Sequence, residues 1–233
     1  MSTSDSSLPH SPSKQALLDR ISDQFDVVVE SHIFGEIELE ICRVNNPDSM
    51  LDEHAIIAGH DEFSWQPYWA QAWDAAIAMA HILADQDFSG RRILDLGCGL
   101  GITGAVVAAR GGSVVLGDYA PPALDFAKVN CWPWRDRATV RKIDWKQDRL
   151  DERFDLIIAA DILYDRSDIA ALDRFWRDHL APAGKILHGD PNRALTVEFF
   201  EKFKKLGWGI KFEVNSIPES TKRLRLATFS LES

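Results

Sequence analysis

Residues 93–101 read Ile93-Leu94-Asp95-Leu96-Gly97-Cys98-Gly99-Leu100-Gly101, an apolar strand that runs into three glycines and then into the helix-like stretch Ile102–Arg110. A strand that must turn sharply and let a ligand approach its backbone excludes Cβ atoms and often needs positive φ, which glycine alone supplies at no steric cost. The spacing narrows the ligand. A dinucleotide fingerprint starting at Gly97 needs its third glycine at position 102, which is Ile102, so a nicotinamide-dependent oxidoreductase is disfavoured.

Outward from this turn the chain alternates strands and helices: strand Arg92–Leu96, helix Gly101–Arg110, strand Ser113–Gly117, helix Pro122–Asn130, strand Thr139–Ile143, strand Phe154–Ala159, helix Asp168–Leu180 and strand Lys185–His188. That rhythm predicts an α/β fold with a parallel sheet covered on both faces. The tail adds helix Thr196–Leu206, then strands Trp208–Val214 and Leu224–Leu231 as a terminal hairpin with no crossover helix, hence antiparallel. Upstream, Trp69–Asp85 has apolar residues at helical spacing. Lys14–Asp23 is expected to be a helix, Phe25–Glu30 and Glu36–Cys42 a hairpin around Gly35, and Asn45–Ser64 an acidic loop carrying Asp48, Asp52, Glu53, Asp61 and Glu62. Met1–Ser13, with six serines and two prolines, has almost nothing to bury and is expected to be a disordered leader. The organisation expected is a leader (1–13), an accessory helix, hairpin and acidic loop (14–64), and one α/β domain (65–233).

Composition excludes several classes. The chain has 233 residues, 45% of them hydrophobic, enough for one sizeable core. No apolar run approaches the roughly 20 residues that cross a bilayer, and the polar N-terminus does not resemble a secretion signal, so a cytoplasmic protein away from the membrane is expected. A net charge of −10 opposes attraction to a phosphate backbone, so no nucleic-acid partner is expected. Cys42, Cys98 and Cys131 lack C-x-x-C spacing, and no histidines pair at ligand spacing on one helix, so neither a disulfide framework nor a metal site is indicated.

In an open α/β sheet the ligand lies beyond the carboxyl ends of the strands. The second strand of the sheet ends in Gly117-Asp118, and Asp118 lies 21 residues after Gly97, a separation at which a carboxylate binds the ribose hydroxyls of an adenosine cofactor; capping of the next helix is its other reading. Tyr119 would flank the adenine or simply lie on the surface. The third strand ends in Ile143-Asp144-Trp145, an acceptor for an exocyclic amine beside an aromatic face; the alternative is an ordinary loop acid next to a buried tryptophan. Trp73 either closes over the cofactor or packs in the core. The fourth strand, Asp155–Ala160, ends in Asp161-Ile162-Leu163-Tyr164.

Asp95-Leu96-Gly97-Cys98-Gly99-Leu100-Gly101 resembles motif I, D-x-G-x-G-x-G, of the Rossmann-like methyltransferases that use S-adenosylmethionine. Three further motifs in order sharpen the resemblance: Pro67-Tyr68-Trp69-Ala70, the D-x-x-Y pattern of Asp161 and Tyr164, and Gly189-Asp190-Pro191-Asn192-Arg193. Together they look like the seven-β-strand protein-lysine methyltransferases, closest to the branch that modifies the β subunit of electron-transfer flavoprotein. Asn192 stands where that branch has glycine, and Ala72-Trp73-Asp74-Ala75-Ala76 looks more like sister enzymes acting on chaperones. The resemblance implies a class I methyltransferase fold with a mainly parallel seven-stranded sheet, and S-adenosylmethionine as methyl donor. It implies cofactor-binding roles for Trp73, Asp95, Gly97, Gly99, Gly101, Asp118, Tyr119, Asp144 and Trp145. Asp161 and Tyr164 would be catalytic, and Asp190 and Arg193 would shape the substrate mouth or pin their loop as an ion pair. A monomer acting on a protein lysine is expected.

The chemistry agrees. Methyl transfer needs a neutral amine lone pair, whereas free lysine, with a pKa near 10.4, is protonated at neutral pH. A carboxylate such as Asp161 attracts the ammonium and then orients the amine, while an aromatic such as Tyr164 lines a narrow channel. The rivals are a methyltransferase of the same fold acting on a nucleic-acid base or a small molecule, and a noncatalytic cofactor-binding scaffold.

Overall fold

The computed structural model describes residues 12–50, 67–216 and 223–231. Three elements lead: α1 (Lys14–Ser22), β1 (Val27–Phe34) and β2 (Ile37–Val44). Then follow α2 (Asp74–Ala84), β3 (Arg92–Leu96), α3 (Ile102–Ala109), β4 (Ser113–Asp118), α4 (Pro121–Asn130), β5 (Ala138–Lys142), β6 (Phe154–Ala160), α5 (Ile169–His179), β7 (Leu180–Asp190), α6 (Ala194–Lys205), β8 (Trp208–Ser216) and β9 (Arg223–Leu231).

The seven strands β3–β9 form one sheet in the order β5-β4-β3-β6-β7-β9-β8. β5, β4, β3, β6 and β7 pair in parallel, whereas β9 runs antiparallel to both β7 and β8. The class expected from the alternating elements is the class found. β3 pairs with β4 on one side and β6 on the other, so consecutive connections leave it in opposite directions, and a crevice opens beyond its carboxyl end.

Alternation along β3 divides the core into two layers. Ile93 belongs to the cluster that holds α2, α3, α4, α1 and the N-terminal hairpin, while Leu94 and Leu96 belong to the one that holds α5, α6, Trp208 and Phe229. α5 buries Ile169, Leu172, Phe175, Trp176 and His179, one stripe at helical spacing. Each fully buried side chain of this size contributes about 1.5–3 kcal/mol of transfer free energy. Local chemistry sets the boundaries: Ser13 Oγ accepts from Ala16 N at 3.2 Å to cap α1, and α4 starts at Pro121-Pro122, where no amide donor is needed.

Besides its apolar packing, the hairpin is clipped to the glycine turn by a buried amide side chain. Asn130, at the end of α4, donates from Nδ2 to the carbonyls of Cys42 (3.1 Å) and Leu100 (2.9 Å), and its Oδ1 accepts from Cys42 N at 2.8 Å.

Several expectations need correction. The helix expected over Trp69–Asp85 begins at Asp74; before it, Tyr68–Ala70 is a 3₁₀ turn and Trp73 is extended. The reason is a hydrogen bond from Trp73 Nε1 to the Tyr68 carbonyl at 2.7 Å, and Trp69 turns away to pack on Phe25 and Phe126, with ring centroids 5.4 and 5.6 Å away. The first hairpin strand starts two residues later than expected and ends four later, the second starts one later and ends two later. Residues 47–50 are helical instead of loop; 51–64 of that expected loop, and 1–11 of the expected leader, lie outside the described residues. β7 starts at Leu180, five residues before the expected strand, because Phe154 pairs with Leu180 and Leu156 with Lys185. The intervening residues 181–184 bulge, with Ala183 at φ +60°.

Candidate active site

The crevice beyond β3 is a cavity whose lining includes the glycine turn and the ends of β4 and β6. The turn folds back on the neighbouring strand: Gly97 N and Cys98 N donate to the Gly117 carbonyl at 2.8 and 3.0 Å. Gly97, Gly99 and Gly101 all have positive φ, +67°, +50° and +75°. Their surroundings differ. A Cβ on Gly97 would meet Ile162 Cγ2 at 2.8 Å, whereas one on Gly99 would find nothing nearer than 3.5 Å. Gly99 thus leaves room for an atom to approach its backbone, whereas Gly97 is also fixed by packing. Gly101 N-caps α3 and stands behind the cavity wall.

Two carboxylates hold this turn in place. Asp118, 6% exposed, accepts from Gly99 N through Oδ2 and from Ala120 N through Oδ1, each at 2.9 Å. It thus links the glycine turn to the start of α4 and still lines the cavity with unused lone pairs. Burial raises its pKa, against the pull of the Ala120, Gly99 and Tyr119 amides. Asp95 does not line the cavity. It lies beneath the turn, where Oδ2 accepts from Thr103 Oγ1 and Gly104 N, both at 2.8 Å. Burial raises its pKa to about 7, although the Thr103 and Gly104 hydrogen bonds oppose the rise.

The aromatic wall comes from four separate segments. Tyr68 stands 5.5 Å from Tyr164 and 6.1 Å from Trp73, centroid to centroid, and Tyr119 and Trp145 complete the lining. Trp145 is buried with its indole N–H unpartnered, a donor that a bound ligand can take up. Asp144 lies outside the lining: its Oδ1 accepts from Lys146 N at 2.8 Å and its Oδ2 from Gln147 Nε2 at 3.1 Å, so it organises the loop after β5.

Across from the glycine turn, Asp161 closes β6 at φ +57°, its amide donating to the Gly189 carbonyl at 2.8 Å. Its carboxylate lines the cavity and is bonded by Arg193 Nη2. Burial lifts the Asp161 pKa to about 7, with the Arg193 charge pulling the other way. Burial also raises the pKa of Tyr164, so its phenol stays protonated even in alkaline solution. Asp190 lies behind this pair, fully buried, and is not part of the lining. Of the residues singled out from the sequence, the cavity gathers Trp73, Gly97, Gly99, Asp118, Tyr119, Trp145, Asp161, Tyr164 and Arg193. Tyr68, Gln71 and Thr103 also line it without having been given a role, although Tyr68 sits in the Pro67-Tyr68-Trp69-Ala70 motif.

A glycine turn, a carboxylate one strand away and an acceptor-side carboxylate facing both suit an adenosine-bearing donor and a cationic acceptor. Comparison with solved structures gives the same fold: glycopeptide N-methyltransferase MtfA complexed with S-adenosyl-L-methionine superposes with a TM-score of 0.60 over 70% of this chain and 96% of that one, at 15% identity, a likeness that speaks for architecture alone. Sequence relatives are nearer. The electron transfer flavoprotein beta subunit lysine methyltransferase of Xenopus laevis is 34% identical over 138 residues, 55% of this chain and 54% of that protein. EEF1A lysine methyltransferase 3 of Mus musculus is 33% identical over 132 residues, 54% of this chain and 56% of that protein. The chain thus spans about half the length of the curated relatives it matches. A family model described as lysine methyltransferase matches residues 63–206, which include the glycine turn, Asp118, Asp161 and Arg193; on that match, across more than half its length, the chain belongs to the lysine methyltransferase family.

Proposed function

We propose that this protein transfers a methyl group from S-adenosylmethionine to the ε-amine of a lysine in a protein substrate. The observation that carries the reading is the placement of buried Asp161 in the same aromatic-walled cavity as Asp118 and the open face of Gly99. S-adenosylmethionine, when bound, supplies a methyl group on a positively charged sulfur. The chain's own residues fit it. Asp118 has lone pairs left for two ribose hydroxyls, Gly99 lets the ligand approach the backbone, and Tyr119 and Trp145 offer faces and an indole N–H to a purine.

Asp161 receives the lysine ammonium, and Tyr68, Trp73 and Tyr164 wall the channel around it, attracting the cation and excluding water. The ammonium would lose its proton to water at the channel mouth before the amine is enclosed; its lone pair would then take the methyl group, the S–C bonding pair remaining on sulfur and neutralising its charge. Asp161 then stabilises the positive methylated amine. Because only the carboxylate form attracts the ammonium, and the Asp161 pKa is near 7, transfer is expected to rise as pH increases through neutrality.

Relatives named for the electron transfer flavoprotein beta subunit and for EEF1A make those two proteins the first acceptors to try, the former favoured by the Gly189–Arg193 motif. Purified acceptor, enzyme and methyl-labelled S-adenosylmethionine should give label in the protein band, localised by mass spectrometry to lysine. Label confined to small solutes, or found in RNA, would refute the reading. Three buried cysteines, none in a disulfide, support a reducing cytoplasm, and the charge of −10 supports an acceptor that is protein and not nucleic acid.

A further inference from the structure

Arg193 stands between two carboxylates and serves only one. Its Nη2 donates to Asp161 Oδ1, while its Nε lies 3.9 Å from Asp190 Oδ2, outside hydrogen-bonding range. Asp190 is the more deeply buried of the two acids. Burial raises its pKa, and the Thr196 hydroxyl and the Asn192 amide lie close enough to pull it down, yet neither oxygen has a hydrogen bond of ordinary geometry, and Arg193 Nε and Arg225 Nη1 likewise lack partners. Arg225 Nη1 stops 3.8 Å short of Asp190 Oδ1, its other nitrogen being spent on Asn192. The Thr196 hydroxyl beside Asp190 gives its proton to the Arg193 carbonyl at 2.6 Å. A buried carboxylate with a guanidinium just out of reach is an unfilled seat.

We propose that Arg193 is a two-position positioning residue, bonded to Asp161 while the acceptor channel is empty and transferred to Asp190 when a lysine ammonium takes Asp161. The inference rests on Asp161 being the acceptor carboxylate. Two acids, Asp161 and Asp190, face two bases, Arg193 and Arg225, so the cluster is balanced before the acceptor arrives. An entering ammonium competes for the oxygen that Arg193 holds. A guanidinium movement of about 1 Å brings Nε into hydrogen-bonding range of Asp190, satisfying both partners as it frees Asp161. The acceptor carboxylate is thereby never left without a counter-ion, and a neutral molecule gains no entry because it cannot displace the guanidinium.

The test uses the protein saturated with S-adenosylhomocysteine and titrated with n-butylammonium, a mimic of the lysine side chain, at about pH 9, where Asp161 is ionised and the amine keeps its proton. The Arg193 Nε–H resonance, assigned by its loss in Arg193→Gln, should shift downfield as it gains Asp190, and the shift should vanish in Asp190→Asn. Asp190→Asn should weaken n-butylammonium binding about tenfold and Arg193→Gln should tighten it about tenfold, with S-adenosylhomocysteine affinity unchanged in both. Arg193 is partly exposed, so its variant keeps the test decisive if Asp190→Asn does not fold. Binding of n-butylammonium with an unmoved Arg193 resonance, or weaker binding in Arg193→Gln, overturns the two-position role and leaves Asp161 as the acceptor site. No n-butylammonium binding that Asp161→Asn abolishes overturns the acceptor assignment itself, and the two-position role with it.

Discussion

The two halves of the cavity are built on opposite principles. At the ends of β3 and β4, positive φ falls on glycines, and both oxygens of Asp118 already accept backbone amides. At the ends of β6 and β7, positive φ falls on Asp161 and Asn192, where a side chain makes it costly. Buried polar atoms there go unbonded, among them both oxygens of Asp190 and both ring nitrogens of His188. Burial, aided by the nearby Arg193 charge, pushes His188 down to about 3, so it stays neutral. Unbonded buried atoms occur on the donor side too, at Trp145 Nε1 and Asp95 Oδ1, so the contrast lies elsewhere: the donor side is shaped by glycine backbone and a doubly bonded Asp118, the acceptor side by charged side chains that can exchange partners.

The sharpest way to break this contrast is to remove the acceptor carboxylate. Asp161→Asn should cut label transfer by about 10²- to 10⁴-fold while calorimetry finds S-adenosylmethionine affinity unchanged. Were both to fall together, the halves would not be separable. The mirror experiment is Asp118→Ala, which strands two buried amides and removes the proposed ribose acceptor; the S-adenosylmethionine dissociation constant should rise about 10- to 100-fold.

Within the donor half, Gly97 and Gly99 can be set against each other. Gly97→Ala adds a 2.8 Å clash with Ile162 to left-handed strain and should lower stability by about 2–4 kcal/mol in chemical denaturation. Gly99→Ala, with no near neighbour, should cost about 1–2 kcal/mol but still lose donor affinity. Equal stability losses would show that the two glycines are not divided between packing and approach.

The smallest expected effect is on pH-dependent stability. Asp95 and Asp161 are raised from 3.8 to about 7 in the folded protein, so folding favours their protonated forms. Their contribution is fully present below the unfolded carboxylate pKa near 4 and is lost as pH rises through about 7. Asp161→Asn, which cannot ionise, should therefore melt a few degrees above the parent at about pH 8, with the gap closing toward about pH 4. A gap that widens on acidification would contradict the raised pKa.

The donor half was the more legible from sequence because its signals are local. A strand, three glycines and Asp118 one strand later declare a nucleotide turn through spacing alone, and the parallel sheet follows from alternating periodicities. What escaped depends on contacts that spacing does not encode. Trp73 matched the helical stripe, but its indole bonds to the Tyr68 carbonyl and keeps it outside α2. Asp144 followed the strand-end pattern, yet its carboxylate turns onto Lys146 and Gln147. Arg193 and Asp161 are 32 residues apart and meet only because β7 lies beside β6, and Tyr68 joins the wall from a segment preceding the whole sheet. Residues 181–184 contain Pro182 and Gly184 and fall between the expected helix and strand, whereas the strand absorbs them as a bulge.

The Asn130 clip makes the N-terminal hairpin a splint for the donor seat, because one amide side chain grips both the Cys42 backbone and the Leu100 carbonyl inside the glycine turn. Trimming the protein to its central sheet for engineering would therefore remove a brace, not an ornament. Replacing the hairpin by another would need to preserve the strand backbone at position 42 before any surface residue is chosen.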